Sequence, residues 1–180
     1  MNEKDKKQIS KFLSLVLRHK PDSIGLSLDE QGWASVGEIL EKSELRFTFK
    51  EMAEVVTTND KQRFSFNSDQ TKIRANQGHS LKEIDLNLKP LTPPLVLYHG
   101  TVEKFMSQIK LYGLKKMSRQ YVHLSKDKDT ATNVGLRRGK PVILSIRALE
   151  MCNNGHQFFK SENGVWLTDE VPTAFIDFNS

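Results

Sequence analysis

The sequence predicts an α+β protein with a helix-rich N-terminal lobe and a strand-rich C-terminal lobe. Apolar residues recur at helical spacing in the first half, whereas short runs of β-branched and aromatic residues dominate the second. Between these patterns, Pro90, Pro93 and Pro94 interrupt regular structure and predict domains at 1–89 and 90–180. A chain of 180 residues has room for one domain or two small ones.

Three short helices and a hairpin are predicted in the first lobe. The first helix carries an apolar stripe at i, i+3, i+4 and i+7, and it must end before Pro21. Two further helices begin at Ser/Thr-x-x-Glu capping motifs, at Ser35 and Thr48. Apolar residues then alternate on both sides of a turn at 67–69, which predicts a hairpin. This order is typical of a winged-helix unit, a relative of the helix-turn-helix.

Short strands separated by helices are predicted in the second lobe. The helices are expected near 102–111 and 127–134. The strand candidates are apolar or aromatic runs at 95–98, 122–124, 142–146, 157–159, 165–167 and 175–178.

Charge and cysteine content narrow the class of protein. The net charge is +5, yet residues 1–89 carry 15 Lys and Arg against 14 Asp and Glu, so the cationic excess lies in the second half. A single Cys excludes an internal disulfide framework and a thiolate zinc cluster, and no His, Asp and Glu spacing predicts a metal site. Residues 1–7 are charged with no apolar run behind them, and no apolar run is long enough for a membrane span. We therefore expect a cytoplasmic protein.

Basic residues in three places are candidates for binding an anion. Arg18-His19 ends the first helix, where it either complements the helix dipole or forms an anion site with a proton-transferring histidine; the local pattern favours the first interpretation. Arg74 precedes a segment rich in hydrogen-bonding side chains. Arg137 and Arg138, flanked by glycines, suit bidentate phosphate binding or an exposed loop equally.

Two strand segments are candidates for binding a ligand. Tyr98-His99-Gly100-Thr101 is predicted at a strand end that opens a helix, where backbone N–H groups could meet a phosphate. His123 and Ser125 are predicted on one face of a strand, and the alternative is a half-buried strand with hydrogen-bonded polar residues. Three further side chains are given structural or surface roles: Trp33 and Trp166 are expected in the core, and His79 on the surface.

An ordered series of motifs covers nearly the whole chain. It comprises FLSLVLRH at 12–19, IGL at 24–26, IRANQGHS at 73–80, YHGT at 98–101, VHLS at 122–125, VGLR at 134–137 and NGVWLT at 163–168. In this order the motifs resemble the NAD-dependent RNA 2′-phosphotransferases, the Tpt/KptA family.

The resemblance implies a winged-helix RNA-binding lobe followed by an ADP-ribosyltransferase-like lobe that binds NAD. It implies removal of an internal 2′-phosphate from RNA in two steps. The phosphate attacks the ribose carbon of NAD that bears nicotinamide, and nicotinamide leaves. The neighbouring 2″-hydroxyl then attacks the phosphorus, which releases RNA and ADP-ribose 1″,2″-cyclic phosphate. The implied partners are NAD and a tRNA-like RNA bearing a 2′-phosphate, with no metal and no membrane, and the protein is expected to be a monomer in tRNA processing.

The resemblance also assigns residues. The implied catalytic set is Arg18, His19, Arg74 and Arg137, and the implied NAD-binding set is His99, Gly100, Thr101, His123 and Ser125. His19 is the member able to transfer protons near neutral pH, so we assign it acid–base chemistry in the second step. Tyr121 and Arg138 replace histidines that are common in the family. Val165 stands where many ADP-ribosyltransferases have a glutamate, which a phosphate nucleophile would not need.

Two alternatives belong to other classes. One is a non-catalytic winged-helix regulator that binds nucleic acid, which the near-neutral charge of residues 1–89 disfavours. The other is an ADP-ribosyltransferase that acts on another phosphorylated nucleic-acid end or on protein.

Overall fold

The computed structural model describes residues 1–59, 61–81 and 84–178. The chain forms two compact units, Met1–Asn87 and Leu88–Ser180. Each unit has its own apolar core. The division falls near the proline-rich segment that marks the predicted boundary.

The first unit combines helices with a small antiparallel sheet. Its elements are α1 (Glu3–Arg18), β1 (Ala34–Ser35), α2 (Val36–Lys42), α3 (Phe49–Thr57), β2 (Phe64–Phe66) and β3 (Lys72–Ala75), with a 3-10 helix at Pro21–Ile24. The sheet order is β1-β3-β2. The predicted helices and hairpin are confirmed. Strand β1 was not predicted, because a strand of two residues is too short to show the alternation of apolar and polar side chains. The winged-helix assignment stays a prediction.

Local sequence signals set the ends of these helices. Thr48 and Glu51 form a complete capping box, and the Ser35 side chain accepts a hydrogen bond from the backbone N–H of Glu38. Helix α1 ends where the backbone N–H of Lys20 donates to the Leu15 carbonyl at 2.8 Å, directly before Pro21. The basic end of α1 is therefore fixed by sequence.

The core of the first unit lies between the helices and the sheet. The most deeply buried side chains come from all of these elements and include Leu13, Leu17, Ile39, Met52 and Ile73. Burying apolar area of this kind stabilises a fold by about 25 cal/mol per Å². The packing places the end of α1 and strand β3 in the same compact unit.

The second unit is built mainly from short antiparallel strands. Its elements are β4 (Leu97–Val102), α4 (Met106–Tyr112), β5 (Leu114–Lys115), β6 (Val122–Leu124), α5 (Lys128–Gly135), β7 (Pro141–Ile146), α6 (Ala148–Asn153), β8 (Phe158–Lys160), β9 (Trp166–Thr168), β10 (Glu170–Val171) and β11 (Ile176–Asp177). Short 3-10 helices lie at Glu103–Phe105, Leu136–Arg138 and Thr173–Phe175. The predicted strands and both predicted helices are confirmed, whereas α6, β5 and β10 were not predicted.

Two three-stranded sheets dominate this unit, ordered β11-β7-β4 and β6-β9-β8, beside the pair β10-β5. A bridge connects strand β4 to the end of β6. The backbone N–H of Tyr98 donates to the Ser125 carbonyl, and the N–H of Ser125 donates to the Tyr98 carbonyl, both at 2.8 Å. The bridge therefore brings the two histidine-bearing strands side by side.

The prediction of a strand that opens a helix is confirmed, because the 3-10 helix Glu103–Phe105 follows β4 directly, but Tyr98–Thr101 lies within the strand and not at its end. Strand β4 continues to Val102, and its backbone pairs with β7 across this segment. Gly100 serves the packing of helix α5 on the sheet, because a Cβ at position 100 would lie 1.8 Å from the carbonyl oxygen of Ala131. Among the described residues, no helix combines the length and the apolar character needed to cross a bilayer.

Substitution Gly100→Ala should destabilise the second unit by about 2 kcal/mol or more, because the new methyl group collides with the backbone of α5. Denaturant unfolding measures the effect. The matched control is Gly37→Ala in helix α2, where the nearest atom to the new Cβ is 3.7 Å away and helix propensity favours alanine. Equal stability of Gly100→Ala and wild type would contradict this account of Gly100.

Candidate functional site

The end of helix α1 presents two of the predicted catalytic residues. Arg18 is the last helical residue and is half-buried, and His19 is the exposed C-cap. The chain after β3 returns to this point. There the Arg18 Nε donates to the Gly78 carbonyl at 3.3 Å, and His19 Nδ1 lies 3.0 Å from Ser80 Oγ. Both side chains are therefore held by the same short segment, 78–80.

Arg74 is held by an aromatic ring. It lies on strand β3, and its guanidinium carbon sits 4.5 Å from the centroid of the Trp33 ring. The expectation that Trp33 is a core residue is wrong, because the indole is only partly buried and carries the guanidinium on its face. Strand β3 belongs to the same compact unit as α1. The contact with Trp33 therefore holds a second arginine, Arg74, in the unit that also holds Arg18.

His79 is buried among Arg18, His19 and Arg74, contrary to its predicted surface position. The side chain has no solvent exposure, and neither ring nitrogen hydrogen-bonds to a described residue. Burial, and after it the electrostatic effects of Arg18, His19 and Arg74, together lower the pKa of His79 from its usual value near 6.5 to about 4. The ring is thus neutral at physiological pH.

Three of the four predicted catalytic residues are therefore assembled around one neutral histidine. Arg18 and Arg74 supply two fixed guanidiniums that do not deprotonate, and His19 supplies a titratable ring at the surface. A fork of arginines beside a histidine is suited to binding a phosphate ester and moving a proton on it. The cluster with Arg18, His19, Arg74 and His79 is called the first-unit cluster below.

A second cluster surrounds the histidines of β4 and β6. His99 Nδ1 lies 3.1 Å from the His123 carbonyl, which can only accept, so the Nδ1–H donates and neutral His99 keeps its lone pair on Nε2. His123 Nδ1 lies 3.3 Å from Arg119 Nη1, which can only donate, so neutral His123 carries its proton on Nε2. The two rings therefore offer one acceptor and one donor.

Arg119 and Arg138 were not predicted in the cofactor-binding set. Burial lowers the pKa of His99, and the charges of Arg119 and Arg138 lower it further, although the hydrogen bond to the His123 carbonyl opposes them. Burial, and then repulsion from Arg138, also lowers the pKa of Arg119. In the described part of the chain, neither guanidinium pairs with a carboxylate. Arg119 lies three residues before strand β6 and has no periodic signal, whereas Arg138 was considered only with Arg137 as a possible phosphate site.

Other predicted site residues occupy distinct settings in the second unit. Ser125 forms the bridge to Tyr98, and Thr101 is buried within β4. Arg137 is exposed on the 3-10 helix Leu136–Arg138, next to Arg138, whose guanidinium lies 5.8 Å from the Phe105 ring. Tyr121 packs against Phe159, with the ring centroids 5.5 Å apart.

Comparison with known proteins decides the family. A sequence model described as "RNA 2'-phosphotransferase, Tpt1 / KptA family" matches residues 4–170. The chain belongs to this family.

Individual relatives match this chain along most or all of their length. A "Probable RNA 2'-phosphotransferase" of Flavobacterium johnsoniae is 57% identical over 183 residues, covering 100% of both chains. Proteins with the same name from Burkholderia pseudomallei and Rhodopirellula baltica are 55% and 52% identical, and each alignment covers 94% of this chain and 93% or 94% of the relative. The resemblance drawn from the motifs is thereby confirmed.

The buried His79 should make stability depend on pH. The unfolded chain binds a proton near pH 6.5, whereas folded His79 binds it only near 4, so stability falls as the pH drops through that window and the loss is complete below it. The full loss in the free energy of unfolding that is due to His79 should be about 3 kcal/mol. Urea unfolding of wild type and of His79→Leu at about pH 7 and about pH 4.5 measures this loss. The carboxylates titrate in both proteins, so the difference between the two proteins isolates the effect of His79.

Wild type should lose about 2–3 kcal/mol more than His79→Leu between these two pH values. Histidine NMR titration of the wild-type protein provides a test that needs no variant. A His79 ring that titrates near 6.5 would contradict the assignment of a neutral buried histidine.

Proposed function

We propose that this member of the RNA 2'-phosphotransferase family removes an internal 2′-phosphate from RNA and transfers it to NAD. The acceptor supplies the electrophilic ribose carbon and the hydroxyl that later attacks the phosphorus, with release of nicotinamide. The observation that supports this proposal most directly is the assembly of Arg18, His19 and Arg74 around the neutral His79.

The first-unit cluster would bind the 2′-phosphate of the RNA. Arg18 and Arg74 are each restrained, one by the Gly78 carbonyl and the other by the Trp33 ring, so little side-chain entropy is lost when a phosphate binds. Guanidinium forks match the oxygens of a phosphate ester, and they stabilise the charge that accumulates during transesterification. Neutral His79 adds no further positive charge to this arrangement.

His19 would move the proton in the second step. A bond forms between the ribose 2″-oxygen and phosphorus while the bond from phosphorus to the RNA 2′-oxygen breaks. His19 accepts the proton of the attacking hydroxyl and returns it to the departing 2′-oxygen, so the histidine is unchanged after the step. An exposed imidazole is suited to both transfers because its ring can both accept and donate a proton.

The second unit would bind NAD. The acceptor on His99 Nε2 and the donor on His123 Nε2 complement ribose hydroxyls, which both donate and accept. Arg119 and Arg138 repel each other beside these rings, and a diphosphate would relieve that repulsion. Gly100 and Thr101 would contribute through the packing of β4, while the exposed Arg137 would be the fourth residue of the catalytic set.

The decisive assay combines NAD with a short RNA that bears one internal 2′-phosphate. We expect a 2′-hydroxyl RNA, free nicotinamide and ADP-ribose 1″,2″-cyclic phosphate in equal amounts. Binding of RNA without turnover would indicate a nucleic-acid-binding regulator. Release of nicotinamide while the RNA keeps its phosphate would indicate an ADP-ribosyltransferase with another acceptor.

Substitution His19→Ala should slow the second step more than the first. Loss of a general acid–base residue costs about 10²–10⁴-fold in rate, so RNA carrying an ADP-ribosylated 2′-phosphate should accumulate. Mass spectrometry of the RNA over a time course measures it. Accumulation with Arg74→Ala but not with His19→Ala would overturn this division of roles.

Substitution Arg119→Gln should weaken NAD binding by about tenfold or more, since a charge-assisted hydrogen bond to phosphate contributes about 1.5–3 kcal/mol. Calorimetry with NAD and anisotropy with labelled RNA separate the two ligands. The control is Arg46→Gln, an exposed arginine of the first unit, which should leave NAD affinity unchanged. An Arg119→Gln protein with normal NAD affinity would show that this guanidinium does not serve the diphosphate.

A further inference from the structure

Segment 78–80 holds both residues at the end of α1 through the backbone. The N–H of Ser80 donates to the Arg18 carbonyl at 3.0 Å, and the Gly78 carbonyl accepts from Arg18 Nε at 3.3 Å. Between them, His79 is fully buried and anchors the segment in the first unit. Any displacement of the segment would therefore move Arg18 and His19 together.

Gly78 makes room for the Arg18 guanidinium. Its φ is +82°, and a Cβ at this position would lie 1.7 Å from Arg18 Nη2. The guanidinium thus occupies the volume that any side chain at position 78 would fill. The position of the Arg18 guanidinium therefore depends on the lack of a side chain at Gly78 as well as on the hydrogen bond from Arg18 Nε to the Gly78 carbonyl.

The hydroxyl of Ser80 touches two groups. Its Oγ lies 3.0 Å from His19 Nδ1 and 3.4 Å from the Arg18 carbonyl oxygen. A hydroxyl has a single hydrogen to donate, and a carbonyl oxygen can only accept. Both contacts are hydrogen bonds only if Ser80 donates to the Arg18 carbonyl and accepts from His19 Nδ1–H.

This pattern selects one form of neutral His19. With the proton on Nδ1, the lone pair lies on Nε2, which becomes the atom able to accept a proton. If Ser80 instead donated to Nδ1, Nε2 would carry the hydrogen and could not act as a base. The choice between these forms decides which ring nitrogen can begin the second step.

We propose that Ser80 is a positioning residue that holds neutral His19 in the Nδ1–H form and so makes Nε2 its proton-accepting atom. The inference rests on the proposed role of His19 in the reaction. Ser80 acts on the substrate only through that ring, by a hydrogen bond that orients it, in the manner in which an acceptor behind a catalytic histidine fixes its tautomer.

Nitrogen NMR of histidine-labelled protein tests the proposal directly. Spectra at alkaline pH, where the ring is neutral, report which nitrogen carries the hydrogen, and a His19→Gln variant assigns the signals. Wild type should show His19 protonated on Nδ1. Ser80→Ala should shift His19 toward the Nε2–H form, whereas Ser80→Thr, which keeps the hydroxyl, should retain the wild-type pattern. The control Ser68→Ala, in the exposed hairpin turn, should leave the His19 signals unchanged.

Kinetics supply the second readout. Ser80→Ala should lower kcat about tenfold, as expected for loss of a group that orients a functional histidine, while the ADP-ribosylated RNA intermediate accumulates and the affinity for RNA stays unchanged. Ser80→Thr should restore turnover. Wild-type His19 protonated on Nε2, or the same tautomer in wild type and Ser80→Ala, would overturn the proposal. A wild-type protein with no turnover of 2′-phosphorylated RNA would refute the proposed function instead, and the tautomer measurement would still stand by itself.

Discussion

Positive charge can be concentrated in this protein because burial keeps two histidines neutral. His79 has no solvent exposure, and the guanidiniums of Arg18 and Arg74 would each be repelled by an imidazolium at this position. In the second unit His99 is kept uncharged in the same way beside two arginines. Each cluster thus holds guanidiniums at short range with a neutral ring among them, and an incoming anion meets their combined field. The arrangement costs folding energy that a bound phosphate would offset.

The directions of the hydrogen bonds determine which nitrogen of each histidine carries the proton, which the charges of the clusters do not. A carbonyl accepts and a guanidinium donates, so two contacts are sufficient to define opposite tautomers for His99 and His123. The end of α1 follows the same logic, with a serine hydroxyl between a carbonyl and a ring nitrogen. Because each ring is oriented by backbone or by a neighbouring side chain, the proton-carrying atoms are set before any ligand arrives.

Local sequence signals predicted the elements well, and tertiary contacts explain the differences. Capping residues at Ser35 and Thr48 located helix starts because those bonds form within three residues. The pairing of Arg18 with Gly78 spans sixty residues, so only a resemblance to a family could connect them. His79 was predicted on the surface because the residues next to it in the sequence show no apolar pattern that indicates burial. The close packing of α5 against β4 at Gly100 could not be predicted either, because a contact between separate elements leaves no periodic pattern in the sequence; the assignment of Gly100 to ligand binding stays a prediction.

The stack of Arg74 on Trp33 has an optical consequence. The chain contains two tryptophans, and the other, Trp166, is buried in the core of the second unit. The ring of Trp166 has the Lys160 ammonium 5.7 Å from its centroid, whereas the partly buried indole of Trp33 has the Arg74 guanidinium 4.5 Å from its centroid. Any ligand that draws Arg74 away from that face changes the surroundings of a single fluorophore. The protein carries an intrinsic reporter at the residue on which phosphate binding is expected to depend.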